Sequence, residues 1–342
     1  MKKIKIAQIG AGHDHAFASI KTLKYYSDLF ELVGYAVVPE DSGNTDAFGF
    51  EGNKQSYEGV PQLSLDEILN YEGLDAVCIE TEDRALTKYA LMAAEKGLNI
   101  HMDKPGGIDD AEFDRLIDTV KKKGLVFHTG YMYRYNPSIM KLKEDIKAGI
   151  LGDIVSVEAQ MNCLHKAEKR DWLGNYPGGM LYFLGCHMVD LVYSIMGEPE
   201  EVLPLSCSSG LNGTKAKDFG MAIFKYKNGL SFAKSTAVEI GGYERRQLVV
   251  IGTKGSVELC PLEWSYHGET DLYVPQTTGI VERFSDDWHE KGIRKTSEVY
   301  PRYEGMFKAF YDYVTGAKEN PFSYEYERGL HKLLLKACEK EG

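Results

Sequence analysis

The 342-residue chain has no apolar run near the roughly 20 residues needed to cross a bilayer, so no membrane partner is expected. Its start, Met1-Lys2-Lys3-Ile4, meets a glycine at Gly10 too soon for a signal peptide and reads as a first strand. Cysteine is sparse and scattered: the six (Cys78, Cys163, Cys186, Cys207, Cys260, Cys338) include no C-x-x-C pair. That excludes a disulfide scaffold and points to reduced core thiols in a cytoplasm. Basic residues are outnumbered, 40 against 51, for a net charge of -11, which argues against nucleic acid as the main partner. No internal repeat or low-complexity tract suggests a solenoid or a disordered tail.

What remains is an ordinary globular composition, 43% hydrophobic and 27% charged, in a chain too long for one nucleotide-binding domain. The first third alternates strand and helix signals. Strand 4–9 leads into Gly10-Ala11-Gly12 and a helix over Ala16–Tyr26. Strands follow at Phe30–Val38, 75–81, 98–102 and 125–129, with helices at 85–96 and 110–123 between them. Repeated strand-helix-strand units predict a doubly wound parallel sheet, a Rossmann domain over residues 1–129. Beyond it the texture changes. Apolar clusters at 154–159, 221–226, 230–237 and 247–251 lack long helices between them, and Lys227-Asn228-Gly229 signals a hairpin. Residues 130–342 are expected to form an α+β domain with a large open, mostly antiparallel sheet, carrying helices at 180–196 and 303–315 and serving substrate binding and subunit pairing.

Two features carry chemistry. The strand-to-Gly10-Ala11-Gly12 turn is where a dinucleotide pyrophosphate could sit. Asp103-Lys104-Pro105 follows the apolar strand 98–102, so Lys104 stands at a strand's carboxyl end, where ligands bind in such sheets.

With these residues, and with Tyr133-Arg134-Tyr135-Asn136-Pro137 and Gly178-Gly179 through Gly185-Cys186-His187 to Asp190, the chain resembles the glucose–fructose oxidoreductase / inositol dehydrogenase (Gfo/Idh/MocA) family over nearly its whole length. Asp103-Lys104-Pro105 stands where the family usually has Glu-Lys-Pro. The resemblance implies a bound NAD or NADP, Lys104 and His187 as the catalytic pair, and oxidation of a secondary hydroxyl of a sugar, glycoside or polyol, ring carbon three of a glucoside included, or its reverse. Lys104 would donate to the reacting oxygen and His187 accept its proton. Redox-neutral elimination or epimerisation around a tightly bound NAD, and a nucleotide-binding sensor without catalysis, are the alternatives.

The departures from the family pattern are specific. His15 stands at the third fingerprint glycine, Phe183 where an aspartate often precedes the catalytic histidine by four residues, and Thr81-Glu82-Asp83 where Thr-Pro-Asn is usual. The acidic residue that would hold the ribose is not at the end of the second strand; Glu40 or Asp41 could supply it. No arginine there awaits a 2′-phosphate, which favours NAD. Gly10, Gly12, His13, His15, Glu40, Thr81, Asp103 and Lys104 are thus the expected cofactor-binding residues, with capping and packing the competing account of the two histidines. Tyr131, Arg134, Asn136, Trp172 and Phe183 are the expected substrate-side residues. Phe183, one turn before His187 in an unbroken helix, would give a sugar an apolar wall. Arg134 could equally brace the fold, and Trp172 with Tyr176 could be core. Cys163, His165 and Glu168 are too few for a metal site, and none is expected. A homo-oligomer, dimer or tetramer, is expected from the fold type.

Overall fold

The computed structural model describes residues 2–43, 50–265, 275–289 and 291–339. They fall into two compact units, one of Met1–Tyr131 with Tyr303–His331, the other of Met132–Arg302 with Lys332–Gly342. The expected contiguous second domain 130–342 is corrected by this division. The segment from Tyr303 returns to the first unit because its aromatic residues complete that unit's core.

The first unit is built on five parallel strands in the order β2-β1-β3-β4-β5: β1 Ile4–Ile9, β2 Phe30–Ala36, β3 Ala76–Ile79, β4 Asn99–Met102 and β5 Phe127–Thr129. One face carries Ala7, Ile9, Val77, Ile79, Ile100 and Met102 and is covered by the helices Leu86–Lys96 and Asp110–Lys123. Both helices stop at a left-handed glycine, Gly97 and Gly124, and Asp109 caps the second by accepting the Glu112 N–H at 3.0 Å. Ser64 and Glu67 form the capping box expected of an S-x-x-E start.

The opposite face is polar at its centre. Gln8, Cys78, His101 and His128 are register partners across four strands, and all four are fully buried. The helix Glu304–Val314 closes this face. Phe307 lies 4.8 Å from the His101 ring, and Phe310 stacks on His128 at 5.5 Å. Asn320 donates to the Phe127 carbonyl, and Tyr311 to that of Lys2.

The second unit is an eight-stranded sheet, β15-β14-β11-β10-β6-β9-β8-β7. Its strands are β6 Ile154–Asn162, β7 Glu201–Cys207, β8 Phe219–Tyr226, β9 Gly229–Thr236, β10 Gln247–Gly252, β11 Gly255–Leu259, β14 Gly279–Arg283 and β15 Ile293–Thr296; β12 Trp264–Ser265 and β13 Gln276–Thr277 form a separate ribbon. All neighbours are antiparallel except β6 and β9. The predicted hairpin forms with Tyr226 opposite Gly229, so Lys227-Asn228 is the turn and Gly229 opens β9. The expected helix over 180–196 is two helices, Met180–Phe183 and Cys186–Met196, broken at Leu184-Gly185. A Cβ at Gly185 would meet the Leu181 carbonyl oxygen at 2.7 Å, so this close turn requires glycine.

Candidate active site

In the first unit the glycine turn is tied down from several sides. Gly10 adopts φ +93°, and a Cβ there would lie 2.5 Å from the Thr81 nitrogen. A Cβ on Gly12 would lie 2.6 Å from the Asp41 carboxylate. That carboxylate accepts the backbone N–H groups of Ala11 and Val38, each at 2.9 Å. Burial pushes the Asp41 carboxyl up to about 6, with the backbone donors at Val38 and Ala11 opposing the shift. The turn therefore already holds an anionic oxygen on its N–H groups, which is the chemistry a pyrophosphate seat must offer. Glu40, expected in this role, faces elsewhere: it accepts from Lys88 at 2.7 Å and from Tyr89 at 2.6 Å. Asp41 is the inward acid, placed there by the tight turn Pro39–Gly43 that follows β2.

His15, in place of the third fingerprint glycine, is accommodated by a partner. Its Nδ1 approaches Asp103 Oδ2 at 3.1 Å. Burial lowers its pKa to about 4 against the pull of Asp103, so the imidazole is neutral and donates. His13 sits deeper, its Nε2 donating to the Lys104 carbonyl at 3.0 Å and its Nδ1 3.1 Å from the His15 backbone nitrogen. Three carboxylates surround it: Asp103 at 3.4 Å, Asp83 at 3.6 Å and Glu80 at 3.8 Å. Burial opposes charging, but Asp103 and Asp83 outweigh it and raise His13 to about 9. A second proton, on Nδ1, would face Asp103. Burial also pushes the Glu80 carboxyl well up, whereas Asp103, also buried, is held well down by His13 and His15.

Lys104, one residue past Asp103, is only 1% exposed. Its charge reaches His13, His15, Asp83 and Asp103 and bears on the pKa of each. Gly10, Gly12, His13, His15, Thr81, Asp103 and Lys104 are thus brought together at the carboxyl end of the parallel strands, with Asp41 beside them and Glu40 turned to Lys88 and Tyr89. Tyr131 is buried in the same unit. Among the described residues, two groups bring three metal-ligating side chains together, His13 with His15 and Asp103, and Cys78 with Glu80 and His101. Neither includes Cys163, His165 or Glu168.

The second unit gathers its own cluster of buried side chains. His187 occupies the first turn of Cys186–Met196, buried, with the Tyr133 ring edge-on at 5.2 Å. Phe183, across the helix break, packs instead against Trp172 at 5.2 Å, with the Lys169 ammonium 4.6 Å from its ring. The expected one-turn relation between Phe183 and His187 is therefore replaced by two separate helical turns. Trp172 also meets Tyr176 edge-on at 4.8 Å and the Lys169 ammonium at 3.8 Å. Two of the proposed substrate residues have structural roles. Arg134 grips Asp190 through Nε at 3.0 Å and Nη2 at 2.8 Å, both side chains buried. Asn136 caps the helix Pro137–Lys147 through the Ser138 N–H and donates to Tyr300 at 2.7 Å. Sequence reasoning missed Asp41's precedence over Glu40, and it missed Glu263, which receives Tyr133, Arg246 and Arg302. Those four are scattered over 170 residues with no local motif.

Residues 4–131 match the oxidoreductase family with an NAD-binding Rossmann fold, and residues 139–258 match the GFO/IDH/MocA C-terminal domain. The chain belongs to the Gfo/Idh/MocA family. It is accordingly an NAD(P)-binding oxidoreductase. Among Gfo/Idh/MocA relatives, it is 26% identical to the oxidoreductase YhhX of Escherichia coli over 75% of each chain. It is 23% identical to the 2,7-anhydro-N-acetylneuraminate hydratase of the same organism, over 70% of this chain and 66% of that one. KijD10, a 3-ketoreductase from Actinomadura kijaniata, shares the fold with a TM-score of 0.74 at 15% identity, over 98% of this chain and 96% of that one. No helix among the described residues is long and apolar enough to cross a membrane.

Proposed function

We propose that this chain is an NAD-dependent oxidoreductase acting on a secondary hydroxyl of a sugar, glycoside or polyol, with ring carbon three of a glucoside included. The observation that carries this reading is Lys104, an almost wholly buried cation one residue past Asp103 at the carboxyl end of β4. Gly10, Gly12 and the Ala11 N–H would hold the nucleotide's pyrophosphate, with Asp41 turning to the ribose hydroxyls. A carboxylate at this turn repels a 2′-phosphate, which favours NAD over NADP. The bound nicotinamide supplies the hydride acceptor. Lys104 donates a hydrogen bond to the reacting oxygen and stabilises its developing charge. His187 takes the hydroxyl proton. Trp172 and Phe183 offer apolar surface to a sugar's C–H face. The outward face of the large sheet, with Leu203 and Leu205 half exposed on β7, suits a second copy of the chain.

A redox-neutral variant, in which the hydride returns after elimination or epimerisation, is favoured by the relative named as a hydratase. Single turnover at stoichiometric NAD, followed by the near-ultraviolet band of reduced nicotinamide across glycosides, free hexoses, inositols and sugar acids, tests the main reading. A band that rises with one class and disappears in Lys104→Met supports it; no band with any of them, despite nucleotide binding, removes it. Solvent deuterium entering the sugar ring without net reduction selects the redox-neutral variant.

A further inference from the structure

The second unit buries an ionic cluster at the hydroxyl of Tyr133, whose ring also meets His187. Glu263 accepts from Arg246 Nη1 at 2.6 Å, from Arg302 Nε at 2.7 Å and Nη2 at 2.8 Å, and from the Tyr133 hydroxyl at 2.6 Å. All four side chains are buried. Two guanidinium groups thus share one carboxylate, so the three charges sum to one positive.

Topology puts this surplus beside the aromatic wall. Gln160 pairs with Gln247, so the chain leaving β6 through Cys163 and the chain entering β10 from Arg246 emerge at the same end of the sheet. Cys163 packs on the apolar cluster of Phe183 and Leu173. Its thiol, pushed up to about 11 by burial, is drawn back by both Arg246 and Lys169, so both cations lie near it. Glu239, the nearby acid, is committed to Arg245 at 3.1 Å and Lys234 at 3.7 Å.

Arg246 itself is 5% exposed, and its planar group lies 4.1 Å over the Tyr243 ring. Nη1 is used on Glu263, whereas the buried Nε meets no acceptor among the described residues. A buried guanidinium N–H left without an acceptor is unfavourable. The guanidinium edge that carries Nε has the fork geometry that takes a carboxylate through two parallel N–H groups.

We propose that Arg246 receives the carboxylate of an acidic sugar whose reacting hydroxyl lies at His187. The substrate class is therefore a sugar acid, such as a uronate or its glycoside, and not a neutral hexoside. A carboxylate matches the single surplus charge, which a phosphate dianion would exceed. This inference rests on the sugar-hydroxyl reading above for what happens at His187, but its binding half stands alone.

The test is calorimetric, on the full-length chain without turnover, using methyl glucopyranosiduronate, its neutral methyl ester, methyl glucopyranoside and glucose 6-phosphate. The acid is expected to bind at least about tenfold tighter than its ester or the neutral glycoside, the scale of one charge-assisted pair. Arg246→Gln should abolish that preference and leave neutral-glycoside affinity within about threefold, while Arg246→Lys recovers part of it. In turnover the loss should appear in KM and leave kcat nearly unchanged. The ester comparison uses the unaltered protein, so it decides the matter even where a variant does not fold. Equal binding of acid and ester, no binding of the acid, tighter binding of the phosphate, or a preference that survives Arg246→Gln each overturns the assignment. An acid that binds through Arg246 yet raises no nicotinamide band leaves this inference standing and removes the hydride-transfer reading. A band raised by neutral glycosides while acid and ester bind equally does the reverse.

Discussion

The two faces of the parallel sheet are made by the same strands, one residue apart, and they solve burial in opposite ways. On one, Val77, Ile79, Ile100 and Met102 meet apolar helices and need no partners. On the other, Cys78, His101 and His128 are equally buried but polar, and each needs a partner of its own. The His101 and His128 Nδ1 atoms lie 2.7 Å apart, and Cys78 donates to Glu80 at 3.3 Å. Glu80 and Asp103 continue this polar row past the strand ends towards His13, His15 and Lys104. A parallel sheet covered on both sides is ordinarily apolar throughout. Here the ionisable cluster extends into the interior beneath the nucleotide turn. The apolar face holds the fold together, and the polar face holds its charges in place.

Four changes break or sharpen this contrast. The largest effect is expected at the outlet of the polar row: Lys104→Met should cut single-turnover reduction of nicotinamide by about 1000-fold or more, roughly 4 kcal/mol of transition-state stabilisation. A loss under tenfold would take Lys104 out of the chemistry. On the apolar face Ile100→Ala should cost about 3 kcal/mol in urea unfolding, from lost transfer energy and a cavity; a cost below about 1 kcal/mol would show that this face is loosely packed.

Asp41→Asn gives a pH-dependent difference. The native carboxyl titrates at about 6, above the roughly 3.9 of an unfolded aspartate. Its contribution to stability is therefore complete below the unfolded value and lost as pH rises through about 6. The melting temperature of Asp41→Asn relative to the unaltered chain should consequently increase between pH 3 and pH 8, by the equivalent of about 3 kcal/mol. A difference independent of pH would contradict the raised value. The smallest effect should come from the histidine pair. His101→Leu strands the His128 nitrogen and should cost about 1–2 kcal/mol, whereas His101→Leu with His128→Leu should regain most of it. Additive losses in a double-mutant cycle would show that the two rings do not act as a unit.

Much of this was legible in the sequence, for identifiable reasons. Ile4–Ile9, the helix Asp110–Lys123 and the caps at Ser64, Gly97 and Gly124 depend on local signals, and local signals survive folding. The Gly10-Ala11-Gly12 turn and Asp103-Lys104 were readable because they sit at strand ends. The choice of Asp41 over Glu40 was not, since it depends on one tight turn rotating neighbouring carboxylates in opposite directions. The break at Gly185 was masked by continuous apolar residues on both sides. The bracing role of Arg134 was left level with substrate contact, and Asn136 was read as a substrate contact, because their partners, Asp190 and Tyr300, lie 56 and 164 residues away. The Arg246–Glu263–Arg302 cluster leaves no periodic trace at all.

The return of Tyr303–His331 to the first unit has a consequence for how the protein is made. At about 5–20 residues per second, a ribosome that has finished Tyr131 needs roughly 9–36 s more to deliver Phe307 and Phe310. Throughout that interval His101 and His128 lack the ring faces that dry them in the finished molecule. The nascent nucleotide-binding unit must wait, partly wet, while the whole second sheet is synthesised. Its last core residues arrive only near the end of translation.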